Sequence, residues 1–220
     1  MTILAFDAST EALSVALYDR QRAIDDACFE IAPREHANKL LPLAQTLLDR
    51  HGLWLTDLQA LAFARGPGAF TGLRIAAGLV QGLAIGASRP VVPVSTLAAL
   101  AARAFAGQPD AARAQIVQDA RMGEIYTATF ARDALDAPET PERVIAPQDL
   151  AVEPAGDVIR AGNGWALLDI TIDSELIYPH ARNVAHLAAA AAARGEAVSP
   201  DQAVPVYVRD DVARKPAAMR

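Results

Sequence analysis

The sequence predicts an α/β protein of two similar lobes, each a mixed β-sheet covered by helices. Three observations support this fold class. Strand-like segments are followed by helix-like segments twice along the chain. Residues 7–18 (DASTEALSVALY) and 119–130 (DARMGEIYTATF) repeat one pattern. The two copies lie too far apart for a solenoid, so they indicate a duplicated and diverged lobe.

Each repeated segment follows a short apolar run and alternates apolar with polar residues. This pattern predicts a β-hairpin at the start of each lobe. The other elements of the first half alternate between strand and helix: strand 22–31, helix 35–50, strand 59–64, a helix ending near Ala87, strand 90–94, and a helix from Ser95, as N-cap, to Ala106.

The segment GQPDAA at 107–112 has the composition of a linker and divides the sequence into an N-terminal lobe, 1–106, and a smaller C-terminal lobe, 107–220. The second lobe is expected to contain three strand regions and one helix: strands near 114–131, 142–146 and 157–161, and a helix over 181–194.

Helix 35–50 carries an unusually wide apolar stripe. At about 100° per residue, one side collects the apolar residues and a histidine: His36, Ala37, Leu40, Leu41, Leu43, Ala44, Leu47 and Leu48. A stripe of this width can cover a sheet with one flank and another surface with the other flank.

The helix that ends near Ala87 has only two polar residues after its first turn, Arg74 and Gln81, which fall on one face because they are seven residues apart. Gly78, Gly82 and Gly86 recur at every fourth position. Because a mid-helix glycine costs about 1 kcal/mol relative to alanine, a compensating close approach by another helix is expected. That helix belongs either to this chain or to another one.

The loop between these elements, ARGPGAFTGLRI at 64–75, is rich in glycine and lies between a strand and a helix. Main-chain N–H groups in that position can bind an anion. The loop lacks the Lys-Ser/Thr of a Walker A motif, and Pro67 removes a donor from a Rossmann-type turn. Its spacing favours a turn shaped by packing over a phosphate site.

Asp7, Ser9 and Thr10 form a D-x-S-T turn that would suit a Mg²⁺–phosphate group, and Asp119 repeats the aspartate in the second lobe. The alternative is equally simple, because Asp, Ser and Thr are common turn residues. Asp119 also has Arg121 and Glu124 nearby in sequence, which would make a structural ion cluster.

Composition and spacing exclude several functions. The formal net charge of −6 argues against unaided binding to nucleic acid, which needs clustered Lys and Arg. The four histidines show no metal-binding spacing, and the single cysteine, Cys28, has no catalytic base near it in sequence. A lone cysteine and the lack of a signal peptide predict a cytoplasmic protein without a membrane segment.

Taken together, six segments resemble the TsaB family, and the resemblance extends over nearly the whole chain: ILAFDASTEALSVAL at 3–17, PREH at 33–36, LAFARGPGAFTGLRI at 61–75, PVST at 93–96, DARMGEIY at 119–126 and VPVYVRDDVA at 204–213. The resemblance implies the duplicated fold of actin, Hsp70 and sugar kinases (RNase H-like lobes). It also implies an accessory role in making threonylcarbamoyladenosine (t6A) in bacterial tRNA.

In the same superfamily, the catalytic TsaD-type subunit binds a metal through an H-x-x-x-H pattern after the last strand of its first lobe. Thr96 and Leu100 align with those histidines here, and neither replaces imidazole as a ligand. The resemblance therefore implies a subunit without a metal site or catalytic residues.

The resemblance also implies a four-helix interface with the TsaD-type transferase, made by the two apolar helices. The residues expected to contact that partner lie on both helices: His36, Leu40, Leu43, Leu47, Arg74, Gly78, Gln81 and Gly82. A TsaE-type ATPase and tRNA would join through the complex, and the chain alone would form a homodimer through the same helices.

For nucleotides, the expectation is no intrinsic cofactor, with ATP or ADP held only at the complex interface. The nucleotide-binding candidates are Asp7, Ser9, Thr10 and Asp119. The alternative function is an ATPase or sugar kinase that uses these residues in a cleft between the lobes.

Overall fold

A computed structural model describes residues 1–154, 156 and 158–209. Its first sheet has the strand order β3-β2-β1-β4-β5. The strands are β1 (Ile3–Asp7), β2 (Ala12–Asp19), β3 (Ile24–Ile31), β4 (Ala60–Gly66) and β5 (Val91–Ser95). β1, β2 and β3 form an antiparallel meander, and β1, β4 and β5 are parallel.

The second sheet repeats this plan with four strands in the order β8-β7-β6-β9. They are β6 (Arg113–Arg121), β7 (Glu124–Ala131), β8 (Thr140–Ile145) and β9 (Val158–Ala161). As in the first sheet, an antiparallel hairpin is joined on one side by a third antiparallel strand and on the other by a parallel strand. The predicted α/β fold with two mixed sheets is confirmed.

In the described part of the chain, four α-helices cover the sheets: α1 (His36–Arg50), α2 (Phe70–Ala87), α3 (Thr96–Gly107) and α4 (Ala181–Ala193). Side chains of a strand alternate between the two faces. Leu4 and Phe6 of β1 accordingly share a core with α1 and α2, whereas Ile3 and Ala5 share a core with α4. The first sheet is therefore a central layer between two helical layers.

The last two helices connect the two halves of the chain. α3 lies before the predicted linker but contacts β6, β7 and β9 of the second sheet. α4 belongs to the second half in sequence but packs on β1 and β2 of the first sheet. The division into lobes at 106/107 remains a prediction, since each half contributes a helix to the other half's sheet.

Within α1, the wide apolar stripe divides into a buried and an exposed flank. The buried residues are His36, Leu40, Ala44, Leu47 and Leu48. Ala37 and Leu41 remain exposed, and Leu43, on the opposite edge of the stripe from Leu41, is half-buried. A single sheet face is too narrow to cover the whole stripe.

α2 buries one face against β4 and β1 and leaves the opposite face open. By length and composition alone the helix is apolar enough to cross a membrane, a test that core helices of soluble proteins also pass. Its small residues Ala76, Val80 and Ala84 pack into the core of the first sheet. In this fold α2 is thus a surface helix with an apolar outer face.

Candidate partner-binding face and inter-lobe cleft

The glycine-rich loop packs directly on the turn between β1 and β2. The N–H of Ala69 donates to the carbonyl oxygen of Ser9 at 2.7 Å. A Cβ at Gly68 would lie 2.6 Å from that same oxygen, and one at Gly72 would lie 1.8 Å from the carbonyl oxygen of Ala8. These two glycines therefore permit close contact between main chains, and one of the loop's N–H groups is used within the fold.

Asp7 lies beneath this contact and is almost completely buried. Its Oδ1 accepts from the N–H of Ser9 at 2.8 Å, and its Oδ2 has no hydrogen-bond partner among the residues that the structure describes. Burial raises the pKa of the Asp7 carboxyl above its ordinary value, and the hydrogen bonds from Ser9 only partly oppose this effect. Burial in this position therefore disfavours the charged carboxylate, which is the form that binds Mg²⁺.

In the second half, Asp119 takes part in an ion cluster. Its Oδ2 lies 3.0 Å from Nη1 of Arg121, whose other nitrogen pairs with Glu11 of the first lobe. The N–H of Asp119 donates to Oδ1 of Asn163 at 2.9 Å. Arg209 pairs with Glu124 beside this group. The cluster joins the two lobes and uses the charges that a phosphate or cation would need.

A cleft of about 410 Å³ lies between the lobes, next to this cluster. Its lining includes Ser9, Thr10 and Asp119, and it does not include Asp7. Three of the four nucleotide-binding candidates thus come together, while Asp7 remains in the protein interior. A larger cavity of about 620 Å³, near Arg65 and Glu142, contains none of the predicted site residues.

The residues that the structure describes include no group of three or more His, Cys, Asp or Glu side chains placed to hold a metal ion. Thr96 and Leu100, at the positions aligned with metal-binding histidines, are both fully buried at the start of α3. Leu100 is part of the core between α3 and the second sheet. The two positions serve packing in this fold.

Three residues predicted to contact a partner are instead part of the chain's own interior. His36 is buried, and its Nε2 lies 3.0 Å from the carbonyl oxygen of Thr10 and 3.3 Å from that of Ala12. Leu40 and Leu47 are fully buried in the first core. The expectation that these three reach a partner is corrected, because they face the sheet across the buried flank of α1.

Arg74 and Gln81 both bind the chain's own C-terminal segment. Nε of Arg74 donates to the hydroxyl of Tyr207 at 2.9 Å, and Nε2 of Gln81 donates to the carbonyl oxygen of Ala203 at 3.1 Å. The guanidinium of Arg74 also lies 3.7 Å above the ring of Phe70. That Arg74 and Gln81 contact a partner stays a prediction. Within this chain, each side chain already forms a hydrogen bond with the C-terminal segment.

The C-terminal segment includes the family motif VPVYVRDDVA at 204–213, but its residues were not predicted to belong to the site. Val206 donates its N–H to the carbonyl oxygen of Arg65, and Arg209 reaches the carbonyl oxygen of Ala120 in the second lobe. The described part of the motif ends at Arg209, and positions 210–213 lie outside the described residues.

The remaining predicted positions lie on an open apolar surface. We define the α1–α2 face as a set of exposed or half-buried apolar residues and glycines of the two helices: Leu41, Leu43, Gly78, Gly82, Ile85 and Gly86. A Cβ at any of the three glycines would have no neighbour within 4 Å. No close helix crossing within the described residues accounts for these glycines.

Comparison with known proteins identifies the family. A family model described as TsaD, tRNA N6-adenosine threonylcarbamoyltransferase, matches residues 29–215. The Escherichia coli tRNA threonylcarbamoyladenosine biosynthesis protein TsaB is 39% identical over 98% of this chain and 97% of its own length. The chain belongs to the TsaB family.

Two further relatives agree with this TsaB assignment. The Haemophilus influenzae TsaB is 36% identical over 98% of this chain and 96% of its own length. The solved structure of YeaZ from Pseudomonas aeruginosa superposes with a TM-score of 0.85 at 43% identity, covering 94% of this chain and 99% of that one. The TsaB resemblance drawn from the six sequence segments is therefore confirmed.

Proposed function

We propose that this chain is a non-catalytic subunit of the bacterial t6A synthesis complex and that it binds the TsaD-type transferase through the α1–α2 face. The observation that carries the proposal is the row of exposed glycines, Gly78, Gly82 and Gly86, on an otherwise apolar helix surface. Three glycines inside a helix reduce its stability by roughly 1 kcal/mol each. Nothing else in the described chain uses the space that they leave.

A helix from another chain would use that space. Helices approach each other most closely where the side chains at the contact are smallest. The flanking residues Leu41, Leu43 and Ile85 would then pack on either side of the crossing. An apolar surface of this kind favours a protein partner over nucleic acid.

The family model supports a transferase as that partner. A model named for the transferase matches residues 29–215 and so includes both α1 and α2. The two proteins would therefore carry equivalent helix pairs. Two related chains that pack the same face against each other form a pseudo-twofold, four-helix interface. Without the transferase, a second copy of this chain would occupy the same face.

The non-catalytic assignment is supported by the interior of the cleft. Asp7 is buried, Asp119 is paired with Arg121, and the loop at 66–72 is packed on the β1–β2 turn. These features do not favour the ATPase or sugar-kinase alternative. In the proposal, ATP or ADP binds only at the complex interface, the TsaE-type ATPase and tRNA join through the complex, and the assembly is cytoplasmic.

The variant Gly82→Leu tests the proposed face. A Cβ at Gly82 has no neighbour within 4 Å among the described residues, and leucine raises helix propensity by about 0.8 kcal/mol, so the variant should fold at least as stably as the wild type. It should nevertheless fail to form a one-to-one complex with the transferase in light scattering. Gly107→Leu is the matched control, because Gly107 is also exposed at a helix position with no neighbour within 4 Å.

Normal complex formation by Gly82→Leu would refute the proposal that the α1–α2 face binds the transferase. The same variants should be added to a reconstituted t6A synthesis reaction, in which Gly82→Leu should lose activity and Gly107→Leu should keep it. ATP hydrolysis by the purified chain alone, abolished by Asp119→Ala, would instead favour the kinase-like alternative.

A further inference from the structure

Trp54 is the most exposed of the large apolar residues in the described chain, with 75% of its surface accessible. It precedes a 3₁₀ turn at Leu55–Asp57, in the segment between α1, which ends at Arg50, and β4. The turn is well fixed: the N–H of Trp54 donates to Oδ2 of Asp57 at 2.8 Å, and the N–H of Asp57 donates back to the carbonyl oxygen of Trp54 at 2.9 Å. A fixed main chain therefore presents a free indole ring.

The turn is attached to the C-terminal end of α2. Nη2 of Arg89, just past that helix, donates to the carbonyl oxygen of Thr56 at 2.6 Å. Ile85, in the last turn of α2, is 67% exposed. Trp54 and Ile85 are thus the two most prominent apolar side chains at the same end of the α1–α2 layer.

An open groove of about 430 Å³ borders the same end of α2. It is lined by Ile85, Arg89, Pro90, Val198 and Pro200, among others. Single exposed apolar residues are ordinary on protein surfaces. Here two large ones and an open groove lie at the same end of the two helices, and a cluster of exposed apolar surface is typical of an interaction site.

We propose that Trp54 anchors the TsaD-type transferase. The indole ring and the side chain of Ile85 would enter an apolar pocket on the transferase. The inference rests on the proposed function and extends the docking surface beyond the α1–α2 face. The glycines in the central and C-terminal turns of α2 allow a close approach but supply little side-chain contact. Large side chains next to the glycines must then supply the contact area, and tryptophan is among the residues most enriched at binding hot spots.

The partner's pocket is expected to be apolar and uncharged. α2 has 18 residues, so it extends about 27 Å, and the glycine ridge lies in its central and C-terminal turns. In a pseudo-twofold arrangement, the C-terminal end of α2 would lie against the N-terminal part of the partner's equivalent helix. That region of the transferase would therefore receive Trp54.

Fluorine NMR of this chain labelled with 5-fluorotryptophan tests the anchor directly. The chain contains two tryptophans, and the second, Trp165, is fully buried and donates from Nε1 to the carbonyl oxygen of Ala161. The variant Trp54→Phe assigns the two signals. On addition of unlabelled transferase, the Trp54 signal should shift and lose its exposure to solvent, whereas the Trp165 signal should stay in place.

Titration of the same complex supplies the second measurement. Trp54→Ala should weaken transferase binding by about 30-fold or more. Leu167→Ala is the matched control, since Leu167 is also an exposed apolar residue, located in the second half of the chain, and it should change affinity less than twofold.

The outcomes separate the anchor from the proposed function. If the complex forms but the Trp54 signal does not move and Trp54→Ala binds normally, the anchor is refuted and the α1–α2 face stands. If no complex forms at all, both proposals fail. If the Trp54 signal shifts with the concentration of this chain alone and not with transferase, the occupant is a second copy, which also overturns the assignment.

Discussion

The main chain of Ala8 leaves no room for a side chain at Gly72, since a Cβ there would lie 1.8 Å from the Ala8 carbonyl oxygen. The glycine-rich loop is thus part of the packing between β4, α2 and the β1–β2 turn. We expect Gly72→Ala to destabilise the folded chain by about 3 kcal/mol or more, because the backbone must move to relieve the clash. Unfolding in urea, followed by circular dichroism, measures this loss.

Gly82→Ala provides the comparison within the same helix. Gly82 is exposed and has open space around its Cα, so alanine there should stabilise the chain by roughly 0.5–1 kcal/mol through helix propensity. Equal effects of the two substitutions would show that the loop does not depend on the Ala8 contact.

The two flanks of α1 should respond differently to truncation. Leu47 is fully buried in the first core, whereas Leu41 is 48% exposed. We expect Leu47→Ala to cost about 2–5 kcal/mol of folding stability and Leu41→Ala to cost less than about 0.5 kcal/mol. Urea unfolding measures both values, and titration with the transferase should show weaker binding for Leu41→Ala. A Leu47→Ala variant with full stability would contradict the buried position.

The sequence predicts where α1 and α2 lie along the chain. It does not show which side of each helix is buried. Periodicity shows which residues of α1 share a side, and His36, Leu40 and Leu41 fall together on that basis. Which of them face the sheet depends on how α1 is rotated on β2, and this is a tertiary property. An interface prediction that counts every apolar residue of the stripe therefore includes core residues.

Long-range contacts account for the other differences. The sequence shows Arg74 and Gln81 as isolated polar residues of α2. Their hydrogen-bond partners, Tyr207 and Ala203, lie more than a hundred residues later in the chain. For the same reason, the sequence does not reveal that α3 packs on the second sheet and α4 on the first. Local patterns indicate amphipathic helices, and they do not indicate which sheet each helix covers.

His180 makes the folded chain sensitive to acid. It precedes α4, its Nδ1 accepts from the N–H of Arg182 at 3.1 Å, and its ring stacks on Phe29. Burial, together with the charges of Arg103 and Arg182, lowers the pKa of His180 to about 4. Stability that depends on the neutral ring is therefore complete above about pH 6.5 and is lost as the pH falls towards 4.

We expect His180→Asn to remove most of this loss, because asparagine is a good N-cap acceptor and does not titrate. The wild type should lose at most about 3 kcal/mol from this group between pH 7 and pH 4. Urea unfolding of both proteins across that range measures the difference. Parallel pH profiles would show that His180 does not contribute.

Asp7 provides the opposite pH dependence and separates a structural role from a catalytic one. Burial raises the pKa of its carboxyl, so the folded state binds the proton more tightly than the unfolded state does. The stability linked to the protonated group is complete below about pH 3.8 and is lost as the pH rises through the folded-state pKa. At neutral pH the wild type must therefore either bury a charge or keep a proton.

Asp7→Asn replaces the carboxyl by an uncharged amide of the same shape. Its side-chain oxygen would still accept from Ser9, as Oδ1 of Asp7 does at 2.8 Å. We expect the variant to be at least as stable as the wild type at pH 7, with an advantage that shrinks as the pH falls to 4, and to support t6A synthesis normally in a reconstituted complex. A folded variant that binds the transferase but loses synthesis would instead assign Asp7 a chemical role, since removing only the charge would then have stopped the reaction.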